Sequence, residues 1–128
     1  MSDQQLISIP DINLEWSEWH SWGLVNKFVR DGGAKIPSEK GVYEVRCCGT
    51  GNERLTIGKA SDLRWRVRQA LVRGKGLHSS GKLIRGTENV FVLEIRWAAT
   101  DRPSAVEEEL HRLYKNEFKS LPKHTKRT

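Results

Sequence analysis

Apolar residues recur along this chain with two periods, and the periods place the elements. From Glu15 to Arg30, EWSEWHSWGLVNKFVR carries Trp16, Trp19, Leu24 and Phe28 at near-helical spacing and stops at Asp31-Gly32-Gly33. That predicts a helix over about 15–30 with one buried stripe. Core packing is the favoured reading of its three tryptophans, with a stacking platform for bases as the alternative. His20 falls on the same side, at the edge of that core. Residues 1–13 read as extended. After the turn Ile36–Gly41, a first strand is expected over 42–48, with Tyr43, Val45 and Cys47 on one face. Gly49-Thr50-Gly51-Asn52 is a hairpin turn, and 54–58 a second strand. A helix over about 62–73 follows, with Ser61 in the cap position and Leu63, Val67, Ala70 and Leu71 apolar; Gly74 and Gly76 end it. A short helix is expected within 77–86. From Val90 to Trp97, Phe91, Leu93, Ile95 and Trp97 alternate with Val92, Glu94 and Arg96, which predicts a third strand. Pro103-Ser104 opens a last helix to about 119, with Val106, Leu110, Leu113 and Phe118 inward. The basic tail over 119–128 is expected to be mobile.

Length and composition bound the answer. At 128 residues the chain is expected to form a single domain over 1–128 with a substantial core. No apolar run approaches membrane-spanning length, and MSDQQLISIPDINLEW lacks the basic start and apolar stretch of a signal peptide, so a cytoplasmic protein without a membrane partner is expected. Cys47 and Cys48 are neighbours in a strand, face opposite ways and are not expected to pair. Four scattered histidines and one Cys pair have no zinc-ligand spacing.

Charge sharpens the picture. The formal net charge is +6 and the pI about 9.6. Between Lys59 and Arg85 stand eight Lys or Arg residues (59, 64, 66, 68, 73, 75, 82 and 85) against the one acid Asp62. A local surplus of that size suggests a polyanionic partner, DNA with RNA not excluded; a solvated helix face is the plainer reading. Arg64, Arg68, Arg73, Lys75, Lys82 and Arg85, with His78 in the same stretch, are the candidate DNA contacts.

Two glycine motifs frame the hairpin, Gly41-Val42-Tyr43 and Thr56-Ile57-Gly58-Lys59, and the second runs into Ala60-Ser61-Asp62-Leu63-Arg64-Trp65-Arg66. With the later Val106-Glu107-Glu108-Glu109-Leu110, this order resembles the GIY-YIG nuclease superfamily over Ile36 to Phe118, a core of about 36–118. It looks especially like the N-terminal domain of the excision-repair incision subunit. The resemblance implies an α/β fold of the α+β kind, a small three-stranded antiparallel sheet flanked by helices. It also implies a metal-dependent endonuclease with one divalent cation, Mg²⁺ or Mn²⁺. Tyr43 matches the tyrosine of the first motif, Lys59 the lysine after the second, Arg66 the helix arginine and Glu107 the metal-binding glutamate. Thr56 stands where the second motif carries tyrosine, Ala70 where a His or Tyr often follows the arginine, and no asparagine matches the one often found after the last helix.

The chemistry fits these residue types. Phosphodiester cleavage needs an activated water, neutralised non-bridging oxygens and help for the leaving oxygen. Arg66 can fork onto phosphate and Lys59 offers a point charge. Tyr43 as a base must overcome a reference pKa of about 10, which Lys59, Arg66 and a metal are expected to lower. Each residue also has a plain structural role open to it: Tyr43 as a half-buried strand residue, Lys59 and Arg66 as solvated charges, and Glu107 as the third-position partner of Ser104 in a capping box. A nucleic-acid-binding module of the same fold that has lost cleavage is the alternative function.

Overall fold

The computed structural model describes residues 14–76 and 79–125. It is a mixed α+β fold around one antiparallel sheet. The hairpin strands are β2, Gly41–Cys47, and β3, Thr56–Ala60, with Tyr43 opposite Gly58 and Val42 opposite Lys59. Gly49 and Gly51 turn between them with φ of 84° and 71°, a region glycine enters without steric cost. On its other side β2 pairs with β4, Leu93–Ala99, from Gly41↔Ala99 to Cys47↔Leu93. The strand β1, His20–Ser21, adds to β4, which makes four strands in the order β1-β4-β2-β3 rather than the three expected.

The fourth strand comes from the stretch read as a helix over 15–30. Residues 14–19 are irregular, and the helix that forms, α1, is Trp22–Asn26 alone, started by Ser21 Oγ accepting from the Leu24 amide at 3.3 Å. A 3₁₀ turn at Val29–Asp31 follows. The chain here wraps around the sheet. Trp16 packs with Val42, Ala98 and Val106 on one face, whereas Trp22 joins the main core with Tyr43, Ile95, Trp97 and Val67 on the other. Trp19 lies under the guanidinium groups of Arg46, Arg54 and Arg96, at 4.0, 4.8 and 4.7 Å from its ring centre. Arg54 and Arg96 in turn hold the buried Glu44 carboxylate. The tryptophans are therefore packed, as expected of a core, but not along one helical stripe. His20 stacks on Trp97 at 4.9 Å, at the core edge.

The main core is closed by the basic helix, Arg64–Val72, and by α2, Ser79–Thr87. The basic helix is a π-helix: its closing bond runs from the Arg73 amide to the Arg68 carbonyl, five residues back, at 3.0 Å. Leu63, Val67, Ala70 and Leu71 are buried as their spacing predicts. The start is fixed by Asp62 rather than Ser61: Asp62 Oδ1 accepts from the Trp65 amide, and Oδ2 from Ser38 Oγ. The opposite face is covered by α3, Pro103–Phe118, through Val106 and Leu110. Four inward expectations fail: Leu24 and Phe28 of the expected stripe are each 40% exposed, and Phe91 and Leu113 also face solvent. Phe91 is 92% exposed, because Asn89 Oδ1 accepts from the Phe91 amide and sets a 3₁₀ turn at Val90–Val92 before β4 begins. Leu113 is exposed on the outer side of α3. Among the described residues no helix is long and apolar enough to cross a membrane.

Candidate active site at the edge strand

Both motif glycines are required by close approach. A Cβ at Gly41 would collide with the Ala98 carbonyl and with Leu63 Cδ1. A Cβ at Gly58 would fall 2.5 Å from Tyr43 Oη and 2.6 Å from its Cζ. The Tyr43 ring thus lies directly across Gly58, its ladder partner, on β3, the edge strand. One motif supplies the ring and the other the bare backbone that admits it.

The phenol is buried, and burial pushes its pKa well above the ordinary tyrosine value. The Arg66 charge opposes that shift and the Glu107 charge adds to it. Arg66 sits on the π-helix, which packs on the Tyr43 side of the sheet; Glu107 sits on α3, on the other side. Both act on one phenol, and both side chains are half-buried without a hydrogen bond or ion pair among the described residues. Lys59, opposite Val42, lies on the α3 side, and its Nζ donates to Ser104 Oγ at 3.0 Å, one helical turn before Glu107. Arg66 and Glu107 thus come within electrostatic reach of Tyr43, and Lys59 reaches α3 one turn before Glu107.

Two expectations change here. The capping box does not form: Ser104 is the second helical residue after Pro103, the cap position is Arg102, and no side chain caps it. Glu107 is left for another role. Nor does the neighbouring charge lower the Tyr43 pKa, because desolvation outweighs Arg66. The phenol stays protonated at neutral pH and suits hydrogen-bond donation rather than proton abstraction. The sign follows for stability. Below about pH 10, the reference value, the phenol is neutral folded and unfolded, and it favours neither state. Above that, the unfolded phenol ionises first, so the folded state loses stability as pH rises. Urea melts from pH 8 to 11 are expected to show a steeper alkaline loss for wild type than for Tyr43→Phe; equal slopes would count against this burial.

Thr56 is buried under the tail. Its Oγ1 lies 2.9 Å from Thr125 Oγ1, which also accepts from the Ile57 amide at 3.2 Å. The His124 amide donates to Leu55 O at 2.7 Å, and Ser80 Oγ donates to the His124 carbonyl. Lys123 and His124 both donate to the Glu88 carboxylate at 2.8 Å, which holds Glu88 below the usual carboxylate range. The tail through Thr125 is therefore docked rather than mobile; residues 126–128 lie outside the described residues. A tyrosine ring at position 56 would meet Thr125.

Sequence reasoning missed Ser104 and His111. His111 is buried on α3 and donates from Nε2 to Ile57 O at 2.9 Å, while its Nδ1 is buried without a partner among the described residues. Its spacing of four from Glu107, which sets both on one helix face, was the available signal.

The basic segment divides sharply. Arg64 Nε donates to Ile36 O at 2.8 Å. Arg68 is buried, with Nε on Val25 O at 3.0 Å and Nη2 on Ala34 O. Arg73 holds Asn26 through its carbonyl and Oδ1, and Arg85 Nη1 donates to the Ala70 and Leu71 carbonyls at the end of the π-helix. These arginines satisfy carbonyls that loops and a helix end leave open. Arg68 in particular is not a surface phosphate contact. Lys75 and Lys82 are exposed, and His78 lies outside the described residues. Arg66 is the one arginine of the segment whose guanidinium is not held this way among the described residues.

Among the described residues no group of three or more His, Cys, Asp or Glu could hold a metal. The donor set here is the single carboxylate of Glu107. That fits a hard cation such as Mg²⁺, which keeps waters and binds through one or two carboxylates plus substrate phosphate. Comparison of the chain with family models, curated proteins and solved structures finds no match.

Proposed function

We propose that this chain is a metal-dependent endonuclease of the GIY-YIG type that hydrolyses DNA phosphodiester bonds, acting in the cytoplasm. The observation that carries the reading is the Tyr43 ring across Gly58, with Arg66 and Glu107 both acting on its phenol and neither otherwise paired among the described residues. Arg66 would fork onto two non-bridging phosphate oxygens. Lys59, steadied by Ser104, would add a point charge on the same phosphate. Tyr43, protonated, would donate a hydrogen bond to an oxygen that gains charge in the transition state. Glu107 would hold one Mg²⁺ or Mn²⁺, which supplies Lewis-acid charge at the phosphate when bound.

A second reading is favoured by one observation: Thr56, in place of the second phenol, is sealed under Thr125. On that reading the chain binds nucleic acid without cutting it. Supercoiled-plasmid nicking with Mg²⁺ or Mn²⁺ decides between them, with salt-dependent DNA and RNA binding measured alongside. Wild type is expected to nick only with the cation. Glu107→Ala and Arg66→Ala are each expected to lose about 10²-fold or more in rate, with melting unchanged. Binding without cation-dependent nicking moves the chain to the second reading; neither binding nor nicking ends both.

A further inference from the structure

We propose that the open groove between residues 28–36 and the π-helix binds single-stranded nucleic acid, with a base on Phe28 and phosphates on Arg30, Lys35 and Arg64. The inference rests on the nucleic-acid reading above but uses a different surface. The groove measures about 590 Å³ and lies along the side of the π-helix that carries Arg64, Arg68 and Gln69.

Its lining sets one ring among several cations. Phe28 is 40% exposed and Val29 52%, an apolar step left open to solvent. Around them stand the exposed Arg30 and Lys35 and the Arg64 guanidinium, whose Nε is anchored on Ile36 O. The nearby acid Asp31 is exposed and meets Arg30 only at 3.9 Å. Arg73 lies over the Phe28 ring at 4.2 Å, whereas Arg30 lies at a loose 5.6 Å with its side chain 82% exposed. Arg30 can therefore leave the ring to a base and turn to the phosphate.

The platform is preformed. Phe28 O accepts from the Asp31 and Gly33 amides, each at 2.9 Å, and Ala34 N donates to Leu24 O at 3.0 Å. Arg68 bolts the loop to the π-helix from beneath. Little ordering entropy then remains to oppose binding.

Charge complementarity selects the occupant. A single strand offers anionic phosphates interleaved with flat apolar faces, matching cations interleaved with an open ring. A duplex keeps its base faces stacked inside, and an acidic peptide has the charge without the faces. The same π-helix gives Arg66 to the Tyr43 site, but two positions from Arg64 and so on another side of the helix, which makes this groove a separate surface.

The test is fluorescence anisotropy of wild type with labelled oligo-dT, with an abasic oligomer of equal length, and with heparin and an acidic peptide as competitors. Phe28→Ala is expected to weaken oligo-dT about 5- to 100-fold and to leave the abasic oligomer unchanged. Arg30→Glu with Lys35→Glu is expected to abolish binding of both; these side chains are exposed, and melting should not move. If Phe28→Ala loses stability, Phe28→Leu, which keeps the apolar volume, should weaken oligo-dT by the same range. Abasic binding as tight as oligo-dT, or full binding by the Phe28 variants, would overturn the proposal and leave a plain anion patch. Displacement of oligo-dT by the acidic peptide at lower concentration than by heparin would overturn it in favour of a protein partner. Cation-dependent plasmid nicking without oligo-dT binding removes this groove alone. Absence of both removes the functional reading as well.

Discussion

Arg68→Met is expected to destabilise the fold by about 2–5 kcal/mol, because it leaves two buried carbonyls without donors. Val25 O and Ala34 O lie nine positions apart, on α1 and on the loop that returns from it, and one guanidinium closes both. Methionine roughly fills the space, so the loss reports the hydrogen bonds more than a cavity. Against a total stability of about 5–15 kcal/mol this is a large fraction. Thermal melts followed by far-UV circular dichroism should show a fall of roughly 8 °C or more. Arg68→Lys should not rescue it, since one ammonium cannot span two carbonyls as a planar fork does. A melting temperature within a degree or two of wild type for Arg68→Met would mean that the loop is held by its apolar contacts alone, through Trp22, Val25 and Ile36.

Gly58→Ala is expected to damage both stability and activity through one collision. The new methyl would sit 2.5 Å from the Tyr43 hydroxyl, and the ring is packed in the core on its other side. Overpacking of this kind costs typically about 1–3 kcal/mol. Displacing the phenol by about 1 Å should also lower any cation-dependent nicking about 10²-fold. Tyr43→Ala in the same molecule should relieve the collision, so the two losses of stability should sum to less than their separate values, with no activity recovered. Gly86→Ala is the control: nothing lies within 4 Å of a Cβ there, and on α2 the change should be neutral or slightly stabilising. If Gly58→Ala melts and cuts like wild type, the ring does not depend on that glycine.

The hairpin, β4 and α3 were legible because their signals are local. Alternation from Tyr43 to Cys47 and from Leu93 to Trp97, two turn glycines, and a proline at the start of α3 each act within a few residues. The tryptophan segment was not. Its spacing imitates a helix, but Trp16 and Trp19 are held by arginines from β2, from β4 and from the connection before β3, and Trp22 by the opposite face of the sheet. Those arginines are 27 to 80 positions away, and nothing near the indoles announces them. The arginine run was legible as charge but not as use: which carbonyls Arg64, Arg68, Arg73 and Arg85 would reach depends on loops packed from elsewhere. For the site, the residue types at 43, 59, 66 and 107 were readable. The burial of Tyr43 was not, because it comes from the whole core closing over the ring.

The docked tail has a consequence for how the molecule behaves among copies of itself. A lateral strand with open amides and carbonyls is a template on which another chain can build. Here part of that edge is already taken: Leu55 O, just before β3, by the His124 amide, the Ile57 amide by Thr125, and Ile57 O by His111. Two side chains and one backbone amide do part of the work of a fifth strand without becoming one. Lifting residues 122–125 would bare an apolar, β-prone segment, Leu55-Thr56-Ile57, and invite sheet-to-sheet association before it changed any chemistry.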